Sequence, residues 1–320
     1  MPNRCSGDTH QTPVSDLQKS GYFLYSYAQM TRMNTVKTPR VASPKRLAHI
    51  IAFIAIAAGS SYAHAKDENE CGTRAQQIIQ QAYPQAQTTH ENTFLVDGAT
   101  TMLPTSKYLY DNPQAMVCKQ WPSDPGKLLV AVPLIRKSDP DGYFHEGDLD
   151  ILVLDNNTLR VLQRLRAKNL MSDDAISITN VQFDTARYHL APGKTAFGVR
   201  IDTKGASSVN PYDASTLRLY AIEKEKLIPI LDNIVVSQSN GEWNGRCEGE
   251  FRDITRVLSM TPDTRHDWAA ITVKETTTSY TTDVTPDGSC EESKSKKGTS
   301  KTTLTRNGDM YPVPPQMKLD

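Results

Sequence analysis

The sequence predicts an all-β fold with one short N-terminal helix. Three observations carry this expectation. Short apolar runs recur between Gly, Pro, Asn and Asp turn signals, as strands do. Helical periodicity is confined to one stretch, 72–83. The pair Asn156-Asn157 and the charged crossing Glu223-Lys224-Glu225-Lys226 each separate two apolar runs, which reads as two hairpins. The expected architecture is a set of repeated antiparallel β-units, propeller-like, with a β-sandwich as the alternative.

The 320 residues hold 36 Lys+Arg and 36 Asp+Glu, at a mean hydropathy of −0.50. This excludes a multi-span membrane protein, a collagen-like chain and a coiled coil. Residues 1–65 read as a leader with a cleavable signal peptide. Lys37, Arg40, Lys45 and Arg46 precede the apolar run 47–58, and Ala63 and Ala65 have the spacing of a cleavage site. The run is short for a membrane span, so an uncleaved anchor is the weaker alternative. Cys71 follows Glu-Asn-Glu, which does not suit a lipoprotein site. Residues 1–32 are long for a signal n-region, and Met30 or Met33 offers an alternative start. The expected location is periplasmic or secreted, with no stable membrane insertion after cleavage.

The mature region 66–320 reads as a single domain. Removing seven basic and two acidic residues of the leader leaves 29 against 34, a net charge of about −5. That gives no electrostatic case for nucleic acid. Cys71, Cys118, Cys247 and Cys290 remain. Three connectivities are open. Pairing 71–118 and 247–290 is preferred because each closes a loop of similar length, worth about 4 kcal/mol in the chain-entropy model. Without C-x-x-C, redox and thiolate-zinc chemistry lack their motif.

Along the chain, Ala75, Ile78, Ile79 and Ala82 form one apolar stripe, and Pro84 ends the helix. The run 128–135 reads as a buried strand. Runs 150–155 and 158–165 flank Asn156-Asn157 as a first hairpin. Residues 196–202 alternate as a strand, and 216–222 with 227–231 make a second hairpin. Residues 268–278 and 301–306 are strand-like, and the Thr-rich segment 276–305 reads as an exposed two-stranded ribbon. Pro122, Pro192 and Pro262 are spaced 70 residues apart, each ahead of a strand, which suggests internal repeats of that period.

No catalytic signature appears. GASSV is not G-x-S-x-G, HEGDL is not H-E-x-x-H, and the S-x-x-K at Ser293 lacks its companions. The acidic segment 139–150 places Asp139, Asp141, Asp148 and Asp150 as candidate Ca2+ ligands, without EF-hand spacing. Its alternative reading is a solvated turn. Asp148 and Asp150 share one strand face by the two-residue period. Tyr143 and His145 of this segment are binding candidates. GEWNGRCEGEF (241–251) supplies Trp243 and Arg246, residue types enriched at binding hot spots, against the plainer reading of a Gly-rich connection.

The function expected is binding of another protein, inhibitor- or immunity-like, without catalysis. A hydrolase using Asp148, Asp150, Glu146 or His145, and a calcium-stabilised binding module, are the alternatives.

Overall fold

The apolar spacing at Ala75, Ile78, Ile79 and Ala82 produces the expected helix, α1 (Ala75–Ala82), and all four side chains are buried. A 3-10 turn (Gly72–Arg74) leads into it. The computed structural model describes residues 68–109, 112–139, 144–262 and 267–319. The expected leader and signal peptide lie outside the described residues, as do Asp141 and Tyr143. Every described residue belongs to one unit, Ala63–Asp320.

The fold is all-β apart from α1. A seven-stranded sheet comprises β1 (Gln87–His90), β2 (Thr93–Val96), β3 (Ala99–Met102), β4 (Val117–Gln120), β5 (Lys127–Ser138), β6 (His145–Asp155) and β7 (Val161–Ala167). Its order is β1-β2-β3-β5-β6-β7, and β4 also pairs with β5. An eight-stranded sheet comprises β8 (Ile176–Ala191), β9 (Lys194–Gly205), β10 (Tyr212–Glu223), β11 (Lys226–Trp243), β12 (Gly249–Thr261), β13 (Ala270–Val284), β14 (Cys290–Glu292) and β15 (Lys296–Leu304). Strands β8 to β13 follow one another as an antiparallel meander. The far edge of β13 pairs with both β14 and β15.

Residue alternation explains how the sheets stack. In β5, Leu128, Val130, Val132 and Leu134 meet Ile78 and Ile79 of α1. Leu129 and Ala131 point the other way, joining Leu149, Ile151 and Val153 of β6 against Phe197, Val199 and Ile201 of β9. The first sheet is therefore buried on both faces, which is why 128–135 reads as an unbroken apolar run. Phe197 centres the seam between sheets, edge-on to Trp121 at 5.3 Å and stacked on Tyr220 at 5.9 Å. The sheets share this core as layers, the sandwich form of the expected class.

The second sheet covers another core with its opposite face, built from Leu217, Leu219, Ile234, Trp268 and Ile271. The sheet curls, so that the Leu190 carbonyl at the end of β8 accepts from the Ala269 amide before β13 (2.7 Å). The C-terminal segment closes this core. The Tyr311 amide donates to the Ile230 carbonyl (2.7 Å), and the Tyr311 hydroxyl donates to the Ala269 carbonyl (2.6 Å). Burial pushes that hydroxyl's pKa up to about 12.

Both preferred disulfides form. Cys71–Cys118 fastens the entrance of α1 to β4, with Cα atoms 4.8 Å apart. Cys247–Cys290 fastens the β11–β12 turn to the start of β14, with Cα atoms 5.2 Å apart. Pro122, Pro192 and Pro262 each stand in the connection ahead of a long strand, β5, β9 and β13 respectively. β5 lies in the first sheet, β9 and β13 in the second. The segment 241–251 is less of a loop than its glycines suggest. It is the end of β11, a turn over 244–248 and the start of β12.

Candidate functional site

Two regions hold the side chains the sequence singles out, and the structure treats them differently. The first is the acidic segment before and within β6. Asp139 accepts from the Phe144 amide (2.9 Å), which ties the two ends of that connection together. His145 donates from Nδ1 to Asp173 (2.6 Å) and accepts at Nε2 from the Gln114 side chain (2.6 Å). Asp173 also accepts from the Ile178 amide (2.8 Å), so His145 clamps the chain just before β8 to the start of β6.

Asp148 and Asp150 do share a face of β6, opposite Leu134 and Val132 of β5. Each meets its own partners there. Asp148 is ion-paired with Arg136 and accepts from the Asn169 amide (2.8 Å). Burial acts to raise the Asp148 carboxyl, but the Arg136 guanidinium and the Asn169 amide outweigh it and hold the pKa below the usual carboxylate range. Asp150 is wholly buried. Its Oδ2 accepts from the Tyr83 hydroxyl (2.7 Å) and from Arg166 (3.3 Å), with Arg164 at 3.6 Å. Arg164 lies over the Tyr83 ring at 4.7 Å and donates to the Ala82 carbonyl (2.6 Å). Burial, followed by the Asp150 charge, pushes the Tyr83 hydroxyl far above its ordinary range. This cluster joins the C-terminal end of α1 to the first sheet. Among the described residues, no three His, Cys, Asp or Glu side chains gather as a metal site.

The second region is a ribbon formed by the far ends of β10 to β13 with β14 and most of β15. None of residues 237–257 or 274–303 belongs to any hydrophobic core. Arg256 marks the boundary. It is buried, ion-paired with Glu275 at 2.8 Å, and donates to the Val235 and Gln316 carbonyls. The seven residues of β12 beyond that point, Gly249 to Thr255, span about 23 Å.

Register places one aromatic patch on this ribbon. Gly241, Phe251 and Tyr280 lie directly opposite one another on β11, β12 and β13, and Trp243, Gly249 and Thr282 form the next row. Phe251 stacks on Tyr280, with centroids 5.1 Å apart and planes at 15°. Glycine is required at 241 and 249, because a Cβ at either would collide with Phe251 or Trp243. All three rings are half-exposed.

The tip is rigidly organised. The Asn244 side-chain oxygen accepts from the amides of Arg246, Cys247 and Glu248 at 2.9–3.2 Å. The Trp243 indole donates to the Ser208 carbonyl, and its amide donates to Val209 (3.0 Å), which draws the 205–211 loop onto the tip. Arg246 is exposed. Beside the rings, an open groove of about 890 Å³ is lined by Glu242, Glu250, Arg252, Tyr280, Lys294 and Lys296 among others.

Trp243 and Arg246 thus share one tip, while His145 is held by Asp173 and Gln114. Phe251 and Tyr280 escape sequence reasoning although both are printed plainly in it. Their signal is an aromatic among polar residues, Tyr280 within a Thr/Ser run and Phe251 between Glu250 and Arg252, two positions after Gly249. It becomes legible only once the register is known. Comparison of the chain with family models, curated proteins and solved structures finds no match.

Proposed function

We propose that this protein is exported to the periplasm or secreted and binds another protein without catalysis, in the manner of an inhibitor or immunity factor. The observation that carries the reading is the Phe251–Tyr280 stack beside Trp243 on a ribbon that serves no core. Aromatic rings offer large contact area at small entropic cost, and half-exposed Trp and Tyr are frequent binding anchors. The disulfide at the tip and the Asn244 turn hold the patch in one shape, which lowers the ordering cost of binding. Two disulfides accord with an oxidising compartment. Among the described residues no helix is long and apolar enough to cross a membrane.

The test is a pair of substitutions, Phe251→Ser and Tyr280→Ser, in the oxidised full chain. Neither ring belongs to a core, so the far-UV circular dichroism spectrum is expected to be unchanged and Tm to fall by only a few degrees, about 1 kcal/mol for a lost aromatic pair. Stoichiometric retention of one envelope protein is expected for the wild type and its loss is expected for the two variants. Unaltered retention would remove the patch from the account.

A further inference from the structure

We infer that the outer edge of β15 is a docking edge for an extended acidic polypeptide segment, which adds to the second sheet as one more antiparallel or parallel strand. The inference deepens the protein-binding reading above and rests on it.

Three observations carry the inference. The first is an open ladder. β15 pairs with β13 along Lys296–Leu304, and among the described residues no strand or backbone hydrogen bond reaches its other side. Alternate N–H and C=O groups of that edge are free to pair with an incoming strand. The second is charge. Between Ser293 and Arg306 the chain contains Lys294, Lys296, Lys297, Lys301 and Arg306, and no Asp or Glu. Arg306 is bound to Glu223 and Asp309, whereas none of the four lysines has an ion pair among the described residues. This stands out in a mature region whose net charge is about −5. The third is an unfavourable contact. Lys301 lies directly opposite Lys274 on β13, a like-charge cross-strand pair that costs stability unless an anion comes between. Lys297 is on the same face as Lys301, four residues away, so a carboxylate on an added strand can approach either.

The charged surroundings set the limits of the site. Glu291 and Glu292 on β14 are exposed and repel an acidic segment, so the docking stretch begins after Ser293. Glu275 is taken by Arg256. A second copy of β15 is disfavoured, because edge-to-edge pairing would set lysine against lysine. A nucleic acid would use the charges but not the regular backbone donors and acceptors of a strand.

Edge lysines also guard sheets against aggregation, and the experiment separates the two roles. The oxidised full chain is titrated with a fluorescent peptide of alternating Glu and Thr. Controls are the Lys–Thr counterpart, an acidic peptide with proline at alternate positions, and a single-stranded oligonucleotide. Hydrogen exchange of the 296–304 amides is followed in parallel. The expected result is binding of the Glu–Thr peptide alone, slower exchange along β15, and a loss on the order of tenfold or more in affinity for Lys297→Glu with Lys301→Glu. Three results would overturn the inference. They are no binding by the wild type, equal binding of the proline peptide or the oligonucleotide, and protection that maps away from β15. Oligomerisation of Lys297→Thr with Lys301→Thr, with no peptide binding by the wild type, would assign the lysines to edge protection. Retention of the envelope partner is scored on the same charge-reversal variant. If that retention persists and still depends on Phe251 and Tyr280, the edge fails while the protein-binding reading stands.

Discussion

Asp150 shows most clearly how chemistry and structure divide at single positions. A carboxylate with no exposure must be paired, and Tyr83, Arg164 and Arg166 all gather on its Oδ2 while Oδ1 has no partner. Such a group is sensitive to the loss of any partner. Tyr83→Phe removes the shortest hydrogen bond and leaves a buried charge undersatisfied, so urea unfolding is expected to show a loss of about 1–3 kcal/mol with an unchanged m value. A neutral outcome would mean that Arg164 and Arg166 satisfy the carboxylate without Tyr83. The sequence shows that Asp148 and Asp150 share a face, because strand periodicity is local. It does not show what waits there, because Tyr83, Arg136, Arg164 and Arg166 arrive from other elements. His145 has the same history, since its partners Gln114 and Asp173 lie 31 and 28 residues away.

At the scale of elements, the strands legible in the sequence are those with aliphatic runs. β5, β6, β9, β10 and the first half of β11 stand where the apolar pattern puts them. β8 and β12 are missed. In β8 a long half-exposed stretch leaves period two without contrast, and in β12 burial alternates but residue type does not follow it, since Arg256 is buried and Val257 exposed. Asp97-Gly98 joins β2 to β3 with both residues at positive φ, the hairpin turn that this dipeptide favours. Pro192-Gly193 turns β8 into β9. The opposite case is Lys224-Glu225, where both residues adopt positive φ between β10 and β11 without glycine or asparagine. Burial of Leu227, Ile230 and Leu231 fixes that register against local preference. The ribbon has no comparable core, so its order depends on the staple. Replacing Cys247 and Cys290 by serine is expected to leave amide protection in β5, β6 and β9 intact while exchange in 244–255 and 276–292 accelerates at least about tenfold. Uniform loss of protection throughout would show that ribbon and core unfold as one.

At the scale of the molecule, three cores among the described residues stabilise two stacked sheets, and a fourth region of comparable strand length contributes to none of them. The sequence conveys the all-β class because class follows from local runs and turns. It does not convey the layering, which depends on the alternate faces of β5 and β6 meeting α1 on one side and β9 on the other. Nor does it convey the aromatic patch, which arises from register across three strands. A ribbon held outside the cores, stiffened at its tip and faced with rings is what supports the proposal of protein binding at this end of the molecule.

The most direct measurement places a photo-crosslinking residue at Tyr280 in the full chain expressed in living cells, with Thr89 of β1 as the exposed control site. One discrete adduct is expected from position 280 and none from 89. Equal labelling from the two positions, or no adduct from 280 at full expression, would contradict binding by the aromatic patch.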